Sequence, residues 1–207
     1  MTEAKGVSAP YDPEYRRLHG GAYVIAPVLI PAMTPNGIYT LLDVGGGSGT
    51  VGASTWRERG VKVQVIDAWE GYGFSPPDPI TLRGPRIEFV PLHLRAEDAL
   101  HYFGVNAFDM VLACDVIEHV EKEVGRKLLV DFAQIAKRVV HLTTPCGYTV
   151  QDPKLTPEEP WANNPFQKHV CGWLPEEFIE AGYSIYMNGR NERGGYAGAY
   201  VHAYKIF

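Results

Sequence analysis

The chain of 207 residues is poor in several things, and each shortage removes a class of protein. It has three cysteines, Cys114, Cys146 and Cys171, with no C-x-x-C spacing among them. That excludes a disulfide-stapled scaffold and a zinc ribbon, and an odd count without an export signal is expected to stay reduced. No apolar run approaches the roughly 18 residues that a membrane span needs. The first residues, Met1-Thr2-Glu3-Ala4-Lys5, are polar and lack the apolar segment of a secretory leader, so the expected location is the cytoplasm. The net charge is −5 and no tight cluster of basic residues occurs, which disfavours nucleic acid as a partner. Internal repeats and low-complexity linkers are missing too. What remains reads as one globular domain, 1–207, long enough to bury a sizeable core.

The most informative stretch is Leu41-Leu42-Asp43-Val44-Gly45-Gly46-Gly47-Ser48-Gly49-Thr50. An apolar strand runs into an acid and then into a glycine turn. Glycines accept positive φ and leave no Cβ to block a ligand from the backbone. The stretch Val51 to Gly60 is expected to start a helix whose first N–H groups face that ligand. A second acid, Asp67, ends the next apolar run 18 residues after Gly49, the spacing of a ribose-binding acid in a nucleotide-binding β-α-β unit. Two cofactor classes fit. Gly47-Ser48-Gly49-Thr50-Val51-Gly52 satisfies the dinucleotide pattern G-x-G-x-x-G. A dinucleotide, however, brings a pyrophosphate, whereas an acid at Asp43, beneath the loop, suits a cationic ligand.

Asp43-x-Gly45-x-Gly47-x-Gly49 resembles the first motif of class I S-adenosylmethionine (SAM) methyltransferases. Phe108-Asp109-Met110-Val111-Leu112-Ala113-Cys114-Asp115, followed by Val116-Ile117-Glu118-His119-Val120, resembles the fourth strand and exit turn of the same class. Val139-Val140-His141-Leu142-Thr143-Thr144-Pro145 resembles its fifth strand. The resemblance covers residues 35–207. It implies a Rossmann-like α/β three-layer sandwich with a seven-stranded, mainly parallel sheet and an antiparallel last strand. Strands are expected near 39–44, 62–67, 87–91, 109–114, 138–143, 183–188 and 197–206. A helix is expected over Val124–Arg138, with Leu128, Leu129, Phe132 and Ile135 as its buried stripe.

The resemblance also implies SAM as cofactor. Asp43, Gly45, Gly47 and Gly49 would form its cradle, Asp67, Ala68 and Trp69 its ribose and adenine side, Ala96 and Glu97 its adenine edge, and Asp115 the floor. The pattern departs from the class after the second strand and again before Ala96, where the usual preceding Gly-Asp is absent and the spacing from the strand is longer. Pro76, Pro77, Pro79 and Pro85 preclude a regular helix after the second strand, so residues 71–85 are expected to be irregular. The acids Glu97 and Asp98 are equally explained by a helix N-terminus that favours negative charge. Residues 1–34 read as a helical cap broken by Pro27 and Pro31.

The chemistry is expected at Asp115, Glu118, His119 and His169. The first three fall at i, i+3 and i+4, one face of a helical turn, beyond the carboxyl end of the fourth strand where open α/β sheets bind ligands. A histidine there can take a hydroxyl proton near neutral pH. The same acid-x-x-Glu-His pattern with a distant histidine is similar to small-RNA 2′-O-methyltransferases and, in part, to quinone-biosynthesis O-methyltransferases, which opens a metal-site reading. The assignment adopted is catalytic, with no metal ligand. His141, inside a strand, reads as a core histidine with its hydrogen bonds satisfied. Residues 146–172 form a long loop with Tyr148, Trp161, Asn163, Asn164 and Phe166, read as a substrate lid. The expected function is methyl transfer to the hydroxyl of a small-molecule acceptor. The alternatives are an RNA 2′-O-methyltransferase, a nicotinamide-dependent oxidoreductase and a non-catalytic SAM-fold binding module.

Overall fold

The computed structural model describes residues 37–47, 60–72, 92–152, 154, 162–188 and 199–207. Strands β1 (Thr40–Val44), β2 (Lys62–Asp67), β3 (Leu92–His93), β4 (Phe108–Cys114), β5 (Ala136–Pro145), β6 (Ser184–Asn188) and β7 (Tyr200–Ile206) form one sheet. Their order is β3-β2-β1-β4-β5-β7-β6. The pairs among β1 to β5 are parallel, and β7 runs antiparallel to both β5 and β6. This is the Rossmann-like arrangement expected, with one reversed strand. The chain crosses over between β1 and β4, so the crevice at their carboxyl ends is the switch point where such sheets bind ligands.

The period of two within the strands sorts the core. From β4, Val111 and Ala113 join Leu42, Val44, Ile66, Val140 and Leu142 on one face. Against that face pack Phe132 and Ile135 of helix α2 (Lys122–Ile135) and Phe178 of helix α3 (Pro175–Glu180). The alternate residues Met110, Leu112 and Cys114 join Leu41, Val63, Val65 and Val139 on the opposite face. Burial on both faces explains why the central strands read as continuous apolar runs. Among the described residues no helix is long and apolar enough to cross a membrane.

The boundaries of one helix need adjustment. Helix α2 begins two residues earlier than expected and stops at Ile135, because Ala136 to Arg138 enter β5, where Ala136 pairs with Phe108. The turn-and-helix segment after β3 is short: a 3-10 turn Ala96–Asp98 leads into helix α1 (Ala99–Phe103), which ends at Gly104 with φ 84°. The third strand is seen only at Leu92–His93, and the expected span 87–91 lies outside the described residues. So do the cap over 1–34, the helix over 51–59 and most of the proline-rich stretch 71–85.

His141 is buried at 4% exposure, but its Nδ1 has no hydrogen-bond partner, so it is not the satisfied histidine expected. Its ring stacks on that of His202 with centroids 5.7 Å apart, on neighbouring strands. Burial, and then His202, push its pKa down to about 3. The folded chain therefore keeps this ring neutral while the unfolded chain, titrating near 6.5, takes up a proton. Stability from this group is complete above about pH 6.5 and is lost as pH falls toward 3. Between pH 6 and 5 the slope from one such histidine approaches about 1.4 kcal/mol per pH unit. Urea midpoints at these pH values should show a smaller slope for His141→Leu. An equal slope would mean that the ring is protonated in the folded chain.

Candidate active site

The turn after β1 is built from glycines for specific reasons. Gly45 and Gly47 have φ of 67° and 56°. The Gly45 and Gly46 N–H groups donate to the Ile66 carbonyl, folding the turn over the end of β2. A Cβ at Gly46 would lie 2.8 Å from the Asp43 carboxyl carbon and from Val65 Cγ1, and one at Gly45 would lie 2.6 Å from Val116 Cγ2. The turn thus rests directly on buried Asp43 and on the residue that follows Asp115. Gly49 lies outside the described residues.

Asp67 ties this turn to β2. Its carboxylate accepts from Gly47 N–H at 2.9 Å and from Trp69 N–H at 2.8 Å. Burial raises its pKa, and those two bonds oppose the rise. Ala68 and Trp69 follow directly, with the Trp69 ring lying over Gly71, where an added Cβ would be 2.3 Å from it. Leu94 N–H donates to the Asp67 carbonyl at 3.1 Å and brings Ala96 and Glu97 to the same edge. Glu97 is engaged by Arg95 at 2.8 Å. The expected cofactor residues that are described therefore line the carboxyl ends of β1 to β4.

On the other side of the crevice Glu118, His119 and His169 come together. One donor atom from each lies within 4.8 Å of the other two. The rings of His119 and His169 are 4.8 Å apart and edge-on. The expected helical face is only partly formed: the 3-10 turn spans Ile117–His119, and Asp115 precedes it with φ 55°. Asp115 still pairs with β5 through its N–H to the Thr143 carbonyl at 2.9 Å, which forces the chain to reverse there through the left-handed region. Asp115 meets the trio from this position: its carboxyl lies within hydrogen-bonding reach of that of Glu118, and its charge raises the pKa of Glu118, His119 and His169 alike.

Hydrogen bonds orient the trio. His119 Nδ1 donates to the Lys168 carbonyl at 3.2 Å, and His169 Nδ1 donates to the Thr149 carbonyl at 2.8 Å. A carbonyl only accepts, so each Nδ1 carries the proton and each neutral ring presents the lone pair of Nε2. Burial, and then His169, push His119 down to about 4, and burial likewise lowers His169. Glu118 is fully buried, neither carboxylate oxygen has a hydrogen bond of normal geometry, and burial followed by the Asp115 charge pushes its carboxyl well above the usual range. Thr144 also lies beside it.

Much of the expected lid is fastened down. Asn164 is buried, and its side chain accepts Phe166 N–H at 2.9 Å, so it shapes the loop rather than facing solvent. Gln151 donates to the Gln167 carbonyl at 2.9 Å, and the Arg95 guanidinium lies 5.7 Å from the Phe166 ring centre. Asn163 is exposed, and Trp161 is outside the described residues. Lys122, through the Gly172 carbonyl, and Cys171, through the Ile117 and Val120 carbonyls, hold this loop to its neighbours.

No family model matches the chain, and no curated protein matches it at a significant level. Solved structures do. The chain is similar to 1,6-didemethyltoxoflavin-N1-methyltransferase of Burkholderia thailandensis with bound S-adenosylhomocysteine, at TM-score 0.58 and 17% identity, over 98% of this chain and 92% of that one. It is similar to magnesium protoporphyrin IX methyltransferase of Synechocystis PCC 6803 with bound SAM, at TM-score 0.56 and 16% identity, over 97% and 86% of the two chains. It is also similar to small RNA methyltransferase HEN1, at TM-score 0.60 and 15% identity, over 99% of this chain but 27% of that one. At these identities the likeness is one of fold, and the fold is that of the class I methyltransferases.

The glycine turn yields a graded test. Gly60 has φ 79° with open space where a Cβ would go, while Gly45 adds the Val116 contact to a similar φ. Gly60→Ala should cost roughly 1–2 kcal/mol, the left-handed penalty alone. Gly45→Ala should cost more, and adding Val116→Ala should remove the excess. Equal costs in chemical denaturation would show that the two turns do not touch.

Proposed function

We propose that this chain is a SAM-dependent methyltransferase that methylates a hydroxyl oxygen of a small-molecule acceptor, with a divalent cation held by Glu118, His119 and His169. The observation that carries the proposal is the trio itself: two imidazoles with Nδ1 fixed on carbonyls, each with a ligand atom within 4.8 Å of the other and of the buried Glu118 carboxyl. A buried carboxyl beside the Asp115 charge is costly to ionise, and a cation would offset that cost. Imidazoles oriented through their second nitrogen are the usual environment of a metal-binding histidine. Mixed nitrogen and oxygen donors suit manganese, cobalt, iron or zinc better than magnesium.

SAM as the methyl donor is supported by the fold, by neighbours that hold SAM or S-adenosylhomocysteine, and by the glycine turn closed on Asp43 and Asp67. When bound, SAM supplies an electrophilic methyl group on a sulfonium. The protein's task is then to align the acceptor and exclude water. A cation at the trio would lower the pKa of an acceptor hydroxyl and hold its oxygen. Asp115, between the trio and the glycine turn, adds negative charge to both sides. The loop carrying His169 covers the acceptor side.

A small acceptor is favoured by apolar side chains next to the trio. Tyr148, whose hydroxyl donates to the His169 carbonyl at 3.3 Å, and Val170, next to His169 in the chain, are both exposed. The lysines of the described loop, Lys154 and Lys168, both neighbour Asp152, with Lys168 3.4 Å from it. An RNA end is the second reading, favoured by the likeness to HEN1 together with the donor set.

The test is metal-dependent methyl transfer. Chelation should abolish transfer to a panel of phenols and polyols, and Mn²⁺ or Co²⁺ should restore it. Glu118→Gln, His119→Ala and His169→Ala should each lower transfer by roughly 10²–10⁴-fold while S-adenosylhomocysteine binds as before. Because Glu118 starts protonated over a wider range than an ordinary carboxyl, cation uptake should release a proton and tighten as pH rises. Full activity in chelator would make His119 or His169 a general base instead. Transfer to short RNA ends and to no small hydroxyl would select the second reading.

A further inference from the structure

Helix α2 begins with a cation in the wrong place. Lys122 occupies its first turn, where the helix dipole disfavours positive charge. The same helix carries Gly125 in its interior, where glycine weakens a helix relative to alanine. Both oddities have one explanation. A Cβ at Gly125 would lie 2.4 Å from Trp173 Cζ2, so the glycine makes room for that indole. The Lys122 ammonium sits 3.8 Å from the centre of the Trp173 ring, donates to the Gly172 carbonyl and pairs with Glu177 at 2.7 Å. Glu177 in turn accepts Leu174 N–H at 2.9 Å. Trp173 is fully buried, and its Nε1–H donates to the Ile117 carbonyl at 3.1 Å.

From this anchor the preceding residues close onto the turn that carries Glu118 and His119. Val170 and Cys171 N–H both donate to the Glu118 carbonyl, at 2.9 and 3.3 Å. The Cys171 thiol lies 3.3 Å from the Val120 carbonyl and 3.5 Å from that of Ile117. His169 is the next residue back along the chain, so where Trp173 is fixed decides where His169 meets Glu118 and His119.

We infer that Lys122 and Trp173 are positioning residues: they clamp segment 170–173 between helix α2 and the turn Ile117–His119 and so set the geometry of the Glu118, His119 and His169 donor set. The inference rests on the metal reading above. Neither residue belongs to the donor set, and each acts through a backbone carbonyl. The effect therefore falls on the donor set and spares the glycine turn on the other side of the crevice.

The experiment uses Lys122→Met, which keeps the stem and removes the charge, and Trp173→Phe, which keeps an aromatic ring and removes the N–H donor. Co²⁺ affinity, S-adenosylhomocysteine affinity and amide hydrogen exchange are measured on the full chain. Both variants should bind Co²⁺ about 10–100-fold more weakly, the usual effect of losing outer-shell support. Both should bind S-adenosylhomocysteine within about twofold of the unaltered chain, since the contacts cited for that side do not involve them. The Val170 and Cys171 amides should exchange faster, while those of β1 and β4 should not. Lys122→Arg, which keeps the cation, should hold most of the Co²⁺ affinity. Val139→Ala, in the core on the opposite face, should lower thermal stability without this loss, separating positioning from general destabilisation. Unchanged Co²⁺ affinity in both variants would overturn the inference. So would unchanged exchange at Val170 and Cys171, even if no form of the chain binds Co²⁺. A chain that binds no Co²⁺ yet shows the exchange change would sink the metal reading alone.

Discussion

The turn after β4 hangs on a few backbone carbonyls. After β4 the chain leaves the sheet through Asp115 in the left-handed region and makes a single 3-10 turn before α2. A turn that short satisfies few of its own polar groups. Its carbonyls are met instead by Val170, Cys171 and Trp173, some fifty residues further along the chain. The loop after β5 therefore completes the turn after β4 rather than lying over it. Remove those bonds and Glu118 would be a buried acid on an unsupported turn.

The two halves of the crevice are organised by different means. On the β1 and β2 side, small residues let backbone approach backbone, and one acid, Asp67, accepts two N–H groups. On the β4 and β5 side, bulky side chains and a loop build a cage. They meet at Gly45 and Val116, where the lack of a Cβ on one residue accommodates a methyl of the other. A substitution at that seam acts on both halves at once.

The strands were legible because both faces of the sheet are buried, so β1, β2, β4 and β5 appear as apolar runs ending in acids or in Thr-Pro. The grouping of Glu118, His119 and His169 was legible from the resemblance and from the loop that starts at the neighbouring strand. The helical-face argument put Asp115 on one helical turn with Glu118 and His119, whereas it precedes the 3-10 turn in the left-handed region and reaches Glu118 from there. The end of α2 was placed too late because Ala136 to Arg138 carry no breaker, and their fate is set by pairing across the sheet. The orientation of the two histidines, the want of a partner at His141 Nδ1 and the role of Lys122 depend on contacts across long stretches of chain. Lys122 did leave a local trace, a cation in a first helical turn. Gly125, inside an apolar helical pattern, left another.

The fit between Gly125 and Trp173 has a consequence for descent. The helix surrenders a side chain so that the indole can lie against its backbone, and no third residue intervenes. The two positions therefore cannot drift independently. A lineage that gains a side chain at 125 must first shrink the ring at 173, and one that loses the ring leaves a gap that alanine at 125 would partly fill. Among descendants of this chain, glycine and tryptophan at these positions should be inherited as a pair.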